Sequence, residues 1–187
     1  MEKFAFIIHP LSIHDMAHVS PVLKFIPDSW LESALKLKKP FQVSHITGIR
    51  SPYAEAEGWF IGCPLTSKQM VELPEEFVMD RIIESGKIAQ ELGAKVVGLG
   101  AFTSIVGDAG ITVAKNLDIA VTSGNSYTVA TALEGTREAV RLMGKDLATA
   151  HVTIVGASGS IGAACTRILA REANDITMVA RHLQPLE

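Results

Sequence analysis

The chain has 187 residues, 48% of them apolar and 20% charged, with a formal net charge of −3. That length holds one ordinary domain, or one domain and a piece of another, and the apolar content is too high for general disorder. No basic block suggests a nucleic-acid partner. No apolar run reaches the roughly 20 residues of a membrane span, and the two cysteines, Cys63 and Cys165, offer neither a disulfide framework nor zinc spacing.

The run "FAFII" near the N-terminus follows Glu2 and is closed by His9-Pro10. It reads as a buried first strand and not as a secretory signal, so a cytoplasmic protein is expected. Residues 12–38 read as helical in two or three pieces, broken before Pro21 and near Pro27, with Asp28 or Ser29 as the cap of the second piece. "FQVSHITGI" (41–49) and "GWFIGC" (58–63) read as strands. A helix follows, with Pro74 in its first turn, Glu75 and Glu76 at its N-terminus and Val78, Ile82, Ala89 and Leu92 on one face. Gly93 is placed to stop it, and "KVVGLG" is a fully apolar strand. The order repeats in a weak helix, "GITVAKNL", and a strand, "DIAVTSG", which is the βα grammar of a parallel sheet. The next helix carries Val129, Leu133, Thr136, Val140 and Met143 at steps of four and three, and Gly144 ends it. A domain boundary is expected near 145–150, giving a substrate lobe with its connecting helix (1–147) and a second piece (148–187).

That second piece opens with "VTIVGASGSIGAA" at residues 152–164. Gly156, Gly159 and Gly162 lie between a predicted strand and a helix on which Ile161, Cys165, Ile168 and Leu169 repeat. The arrangement suits a nucleotide: one glycine for a tight turn, one to let a pyrophosphate approach, one for close packing of helix on strand. The helix N-terminus offers free N–H groups and the positive end of its dipole, and Ser158 and Ser160 add hydroxyls. The spacing is G-x-x-G-x-x-G, not the more familiar G-x-G-x-x-G, and a turn that only packs tightly is the alternative. The next strand, "ITMVARH", ends in Arg181 where an NAD site has Asp or Glu. An arginine can hold a 2′-phosphate with two parallel hydrogen bonds, so NADP is the expected cofactor. The expected binding set is Gly156, Ser158, Gly159, Ser160, Ile161, Gly162 and Arg181.

Two loops follow apolar strands, at 98–107 and 121–132. Ligands sit beyond the carboxyl ends of strands in α/β sheets. Thr103, Ser104, Ser123, Asn125 and Thr128 are therefore substrate-binding candidates, although Asn125 or Ser126 could simply cap the long helix. His9 and His14 read more readily as packed or surface residues than as catalysts. His14 and His18, at i,i+4 spacing with Asp15 nearby, could suggest a metal site but the set is incomplete, so no metal is expected. Cys63 is a weak candidate nucleophile, with nothing nearby to lower its pKa, and Cys165 reads as core.

"HPLSIHDM", "GLGAFTSIV", "TSGNSYTVATA" and "VTIVGASGSIGAACTRILA", in that order, resemble the long-chain acyl-(acyl carrier protein) reductases. Those belong to a wider group similar to shikimate dehydrogenase and glutamyl-tRNA reductase. The resemblance implies an α/β fold in which a substrate lobe with a mixed or parallel sheet precedes a Rossmann lobe. It also implies NADPH-dependent reduction of an acyl thioester, on acyl carrier protein or coenzyme A, to an aldehyde. The family's cysteine lies beyond the start of the cofactor lobe, so Cys63 cannot inherit its role. Two strands and one helix make only the start of a Rossmann sheet, so the chain reads as an N-terminal fragment, inactive by itself, with open strand edges that favour homo-oligomers. Two alternatives stand beside this reading. One is a shikimate-like dehydrogenase, for which Lys87 and Lys95 lack an evident Asp partner. The other is a non-catalytic nucleotide- or acyl-binding module.

Overall fold

The computed structural model describes residues 1–15 and 25–181. By internal contacts the chain divides into two compact units, Met1–Ser123 and Gly124–Glu187.

The first unit is α/β with a mixed sheet. Its strands are β1 (Glu2–Ile8), β2 (Phe41–Arg50), β3 (Glu55–Gly62), β4 (Val96–Leu99) and β5 (Ala120–Thr122). The five strands lie in the order β2-β3-β1-β4-β5. β1 runs parallel to β3 and β4, β4 runs parallel to β5, and β2 is antiparallel to β3. β3 begins earlier than "GWFIGC" suggests, because Glu55 pairs with Arg50 across the hairpin. The helices are α1 (Asp28–Leu37), α2 (Ser67–Glu72), α3 (Glu75–Glu91) and α4 (Ile111–Lys115). Short 3-10 turns occupy Ile13–Asp15 and Ala101–Ser104.

α1 departs from the expected capping. Pro27 takes the N-cap position with no side-chain bond, and Asp28 lies in the first turn, where its charge favours the positive dipole end. The expected break before Pro21 falls outside the described residues. α2 carries a capping box: the Thr66 side chain accepts from Gln69 N, and Gln69 Oε1 accepts from Thr66 N. α3 follows Pro74 and ends where Gly93 turns the chain at φ +87°.

The core of this unit forms where Ala5, Ile7, Trp59, Ile61, Val97 and Leu99 of the sheet meet Val78, Met79, Ile82 and Ala89 of α3. The glycine in "KVVGLG" has a steric reason: a Cβ on Gly98 would lie 2.3 Å from the Phe6 ring, and one on Gly58 would lie 2.6 Å from the Phe4 ring.

The second unit contains α5 (Asn125–Leu142), β6 (His151–Val155), α6 (Ser160–Leu169) and β7 (Asp175–Val179). β6 and β7 pair in parallel with His151 opposite Asp175, so strand, turn, helix and strand form one βαβ unit. Val129, Leu133 and Leu169 are buried, with Ile154, Ile161, Cys165 and Ile176 packed against them. The apolar stripe of α5 is buried only at its start; Met143, at its other end, is 67% exposed. Arg137 clamps α5 to the segment after α6 by a two-pronged bond to Glu172, with Nε to Oε2 at 2.9 Å and Nη2 to Oε1 at 2.5 Å. Among the described residues no helix is long and apolar enough to cross a membrane.

Candidate functional site

The glycine turn has a defined geometry. β6 ends at Val155, and Gly156 follows with φ +83°, a region that L side chains rarely adopt. The N–H groups of Gly156 and Ala157 both donate to Val179 O, at 2.8 and 3.1 Å, so the turn is pinned to the end of β7. Gly162 is dictated by packing, since a Cβ there would sit 2.1 Å from Gly156 O. Gly159 differs: its φ is −77°, and an added Cβ would meet only Gly156 O, at 3.4 Å. The fold therefore does not require glycine at 159, and the space beside it stays open. Gly159 is the N-cap of α6, and no side chain caps that helix. Ser158, Gly159 and Ser160 are exposed. Ile161 packs into the core, so it can offer a ligand only its backbone N–H. Arg181 is exposed, two residues after the strand end to which the turn is pinned.

Asn125 is drawn to this turn in a way the sequence did not suggest. Gly124, with φ +74°, is the N-cap of α5, so neither Asn125 nor Ser126 caps it. Asn125 Nδ2 instead donates to Ser160 Oγ at 2.9 Å. Thr128 Oγ1 donates to Gly124 O within its own helix, at 3.2 Å.

The other candidate residues lie in the first unit. Thr103 is buried and donates to Gly100 O at 2.8 Å, and Ser104 Oγ donates to Ala101 O at 2.7 Å. Both hydroxyls thus hold the turn after β4, in which Ala101 has φ +47°. Ser123 is half-buried at the end of this unit. Phe102 N–H donates to His9 Nε2 at 3.2 Å, and His9 Nδ1 lies 3.0 Å from Pro10 O. With both ring nitrogens against backbone groups, His9 serves as a hook joining the ends of β1 and β4. Cys63 is fully buried, and burial pushes its thiol up to about 12 despite contact with the Ser85 hydroxyl. Burial thus disfavours the thiolate, the form that attacks as a nucleophile. Among the described residues no group of three His, Cys, Asp or Glu could hold a metal ion, and His18 lies outside them.

Cavities among the described residues of the first unit include the following. An open groove of about 640 Å³ between α3 and the segment before α4 is rimmed by Glu75, Glu76, Asp80 and Asp108. A smaller cavity of about 270 Å³ sits beyond the carboxyl ends of β1 and β3, walled by Leu35, Phe41, Val43 and Pro64. Asp15 and Lys38 are its carboxylate and its ammonium.

No family model matches the chain. It is similar to the aminotransferase PigE of Serratia sp. (strain ATCC 39006), at 28% identity over 191 residues. That match covers 96% of this chain but 22% of the relative. This finding overturns the acyl-(acyl carrier protein) reductase resemblance, and with it NADPH-dependent reduction of an acyl thioester and NADP as cofactor. The shikimate-like and non-catalytic alternatives gain no support either. The physical reason is plain: the glycine turn is common to many phosphate sites, and the choice of NADP rested on the single side chain of Arg181.

An aminotransferase relative implies pyridoxal phosphate, which needs a lysine to carry it and a cradle for its phosphate. The second unit has the glycine turn, but its single lysine is Lys145, before β6. The turn follows β6, so that five-residue strand lies between the two in the chain. The first unit has Lys38 beside a cavity, but that cavity has no glycine turn at a helix N-terminus. Among the described residues the glycine turn and the cavity beside Lys38 belong to different units.

Proposed function

We propose that this chain is a ligand-binding portion of a larger enzyme of the transferase class, distinct from the part that carries pyridoxal phosphate, and that the turn at 156–162 grips a phosphate or diphosphate group of its ligand. The observation that carries the reading is Gly159. It is the one glycine of the three that the backbone does not demand, and it stands at the uncapped start of a ten-residue helix. Free N–H groups there form an anion site, and a missing side chain lets the anion approach. Ser158 and Ser160 add hydroxyl donors, and Arg181 supplies the positive charge. The similarity to PigE supports the transferase class, and the 22% of the relative that is matched leaves ample room for a separate cofactor domain.

Titration of the purified chain with pyrophosphate, followed by amide NMR, tests this. The expected shifts centre on residues 157–162. Gly159→Val fills the open space, and its side chain tolerates the φ of −77°. It is expected to weaken binding at least tenfold while the rest of the spectrum stays in place. Binding that is unchanged in Gly159→Val refutes the reading.

A further inference from the structure

The cavity beyond β1 and β3 has an unusual combination of charge and apolar wall. Ligand pockets commonly span roughly 300–1,000 Å³. At about 270 Å³ this one suits a small molecule. Its walls are mostly apolar, and among the described residues its lining includes three that carry polar side chains, His9, Asp15 and Lys38. His9 is already committed at both ring nitrogens, to Pro10 and Phe102. The other two are not joined: none of the ion pairs among the described residues links Asp15 to Lys38. The carboxylate of Asp15 is fixed in place, because its Oδ2 accepts Ser12 N–H at 2.8 Å. The ammonium of Lys38 lies 3.9 Å from the centre of the Phe41 ring, a wall of the same cavity. One carboxylate and one ammonium, unpaired with each other and set into apolar walls, complement a molecule that has both charges and an apolar body.

We infer that this cavity binds a hydrophobic α-amino acid as its zwitterion. Asp15 receives the α-ammonium, Lys38 receives the α-carboxylate, and the side chain packs against Phe41, Val43 and Leu35. Gly62 keeps the cavity open, because a Cβ there would lie 3.0 Å from Val43 Cγ2 and 3.2 Å from Phe41 Cζ. This site lies in the first unit, so it is independent of the phosphate reading of the second.

The probe is L-phenylalanine, titrated into the purified chain by calorimetry beside 3-phenylpropionate, which lacks the ammonium, and phenethylamine, which lacks the carboxylate. L-phenylalanine is expected to bind at least tenfold tighter than either. Asp15→Asn, which retains an oxygen for Ser12 N–H, should erase the preference over 3-phenylpropionate. Lys38→Gln should erase the preference over phenethylamine. Gly62→Ala should weaken all three ligands together, and circular dichroism checks that each variant folds. The charge series on the unmodified chain stands even if a variant fails to fold. Absence of saturable binding, equal affinity for the three ligands, or preferences that survive both charge substitutions would overturn the inference.

Discussion

Gly162→Ala tests whether the glycine turn is built as described. The new Cβ would lie 2.1 Å from Gly156 O, 2.8 Å from Gly156 C and 3.1 Å from Ala157 Cα. All three are backbone atoms, and they belong to a segment tied to Val179 by two hydrogen bonds, so no side chain can swing aside. Alanine gains about 1 kcal/mol of helix propensity over glycine. Overpacking against a fixed backbone costs about 1–3 kcal/mol, more when the backbone must shift, and a contact this short forces a shift. The net expectation is a loss of about 2 kcal/mol. In a domain of this size 1 kcal/mol moves the melting temperature by about 4–8 °C, so the second unit should melt about 8–16 °C lower. Gly159→Ala is the control, because its Cβ meets only Gly156 O at 3.4 Å. It should lose under about 1 kcal/mol, the difference between glycine and alanine at an N-cap. Thermal unfolding should be followed through amide signals of α6, because the two units can melt separately. Equal destabilisation by the two substitutions would refute the packing argument.

Three more outcomes follow from single residues. Cys63 should resist iodoacetamide in the folded chain at pH 8 and react once the chain is unfolded, as read by mass spectrometry, because burial holds its thiol pKa at about 12. Asp108 accepts hydrogen bonds from the backbone N–H and the hydroxyl of Thr112, which lower its pKa. A lowered folded pKa contributes stability above the unfolded value of about 3.9 that is lost as pH falls through the folded one. Amide protection in α4 should therefore drop below about pH 4, and Asp108→Asn should flatten that dependence. His9→Leu removes the acceptor of Phe102 N–H, a bond worth about 0.5–1.5 kcal/mol, so exchange of that amide should accelerate about 2- to 13-fold.

The fold was legible where one local rule decided it. The stripe from Val78 to Leu92 with its Gly93 stop gave α3, and the run "FAFII" gave β1, because the periodicity of burial and the conformational freedom of glycine act within a few residues. Residues whose roles depend on distant partners were hidden. Nothing in "HP" announces that His9 Nε2 will accept from Phe102, 93 positions later. Asn125 looked like a cap, yet its amide reaches Ser160, 35 positions on. Capping was misread at α1 and α5 for one reason: Pro27 and Gly124 satisfy the local backbone geometry first, which leaves the neighbouring polar side chains for other work. The cavity was missed because Asp15, after β1, and the Lys38–Phe41 segment, which leads into β2, lie far apart in the chain.

The glycine turn shows how a motif's evidence divides among its residues. Gly156 is accounted for by its φ of +83° and Gly162 by its contact with Gly156 O, so both would be glycine in a turn that binds nothing. Gly159 has neither constraint, and its exposed neighbours Ser158 and Ser160 frame an uncapped helix end. The information about a ligand thus rests on one residue and one helix terminus. On the proposed reading those select for negative charge and close approach, which is the chemistry of a phosphate. They do not specify what the phosphate is attached to, because base, ribose and any aromatic ring would lie beyond reach of these atoms. This explains how the same thirteen residues fit a reductase by resemblance and yet occur in a chain similar to an aminotransferase. The identity of the ligand must be written in residues away from the turn, so substitutions at 156–162 should change affinity for every phosphate ligand alike and leave discrimination among them intact.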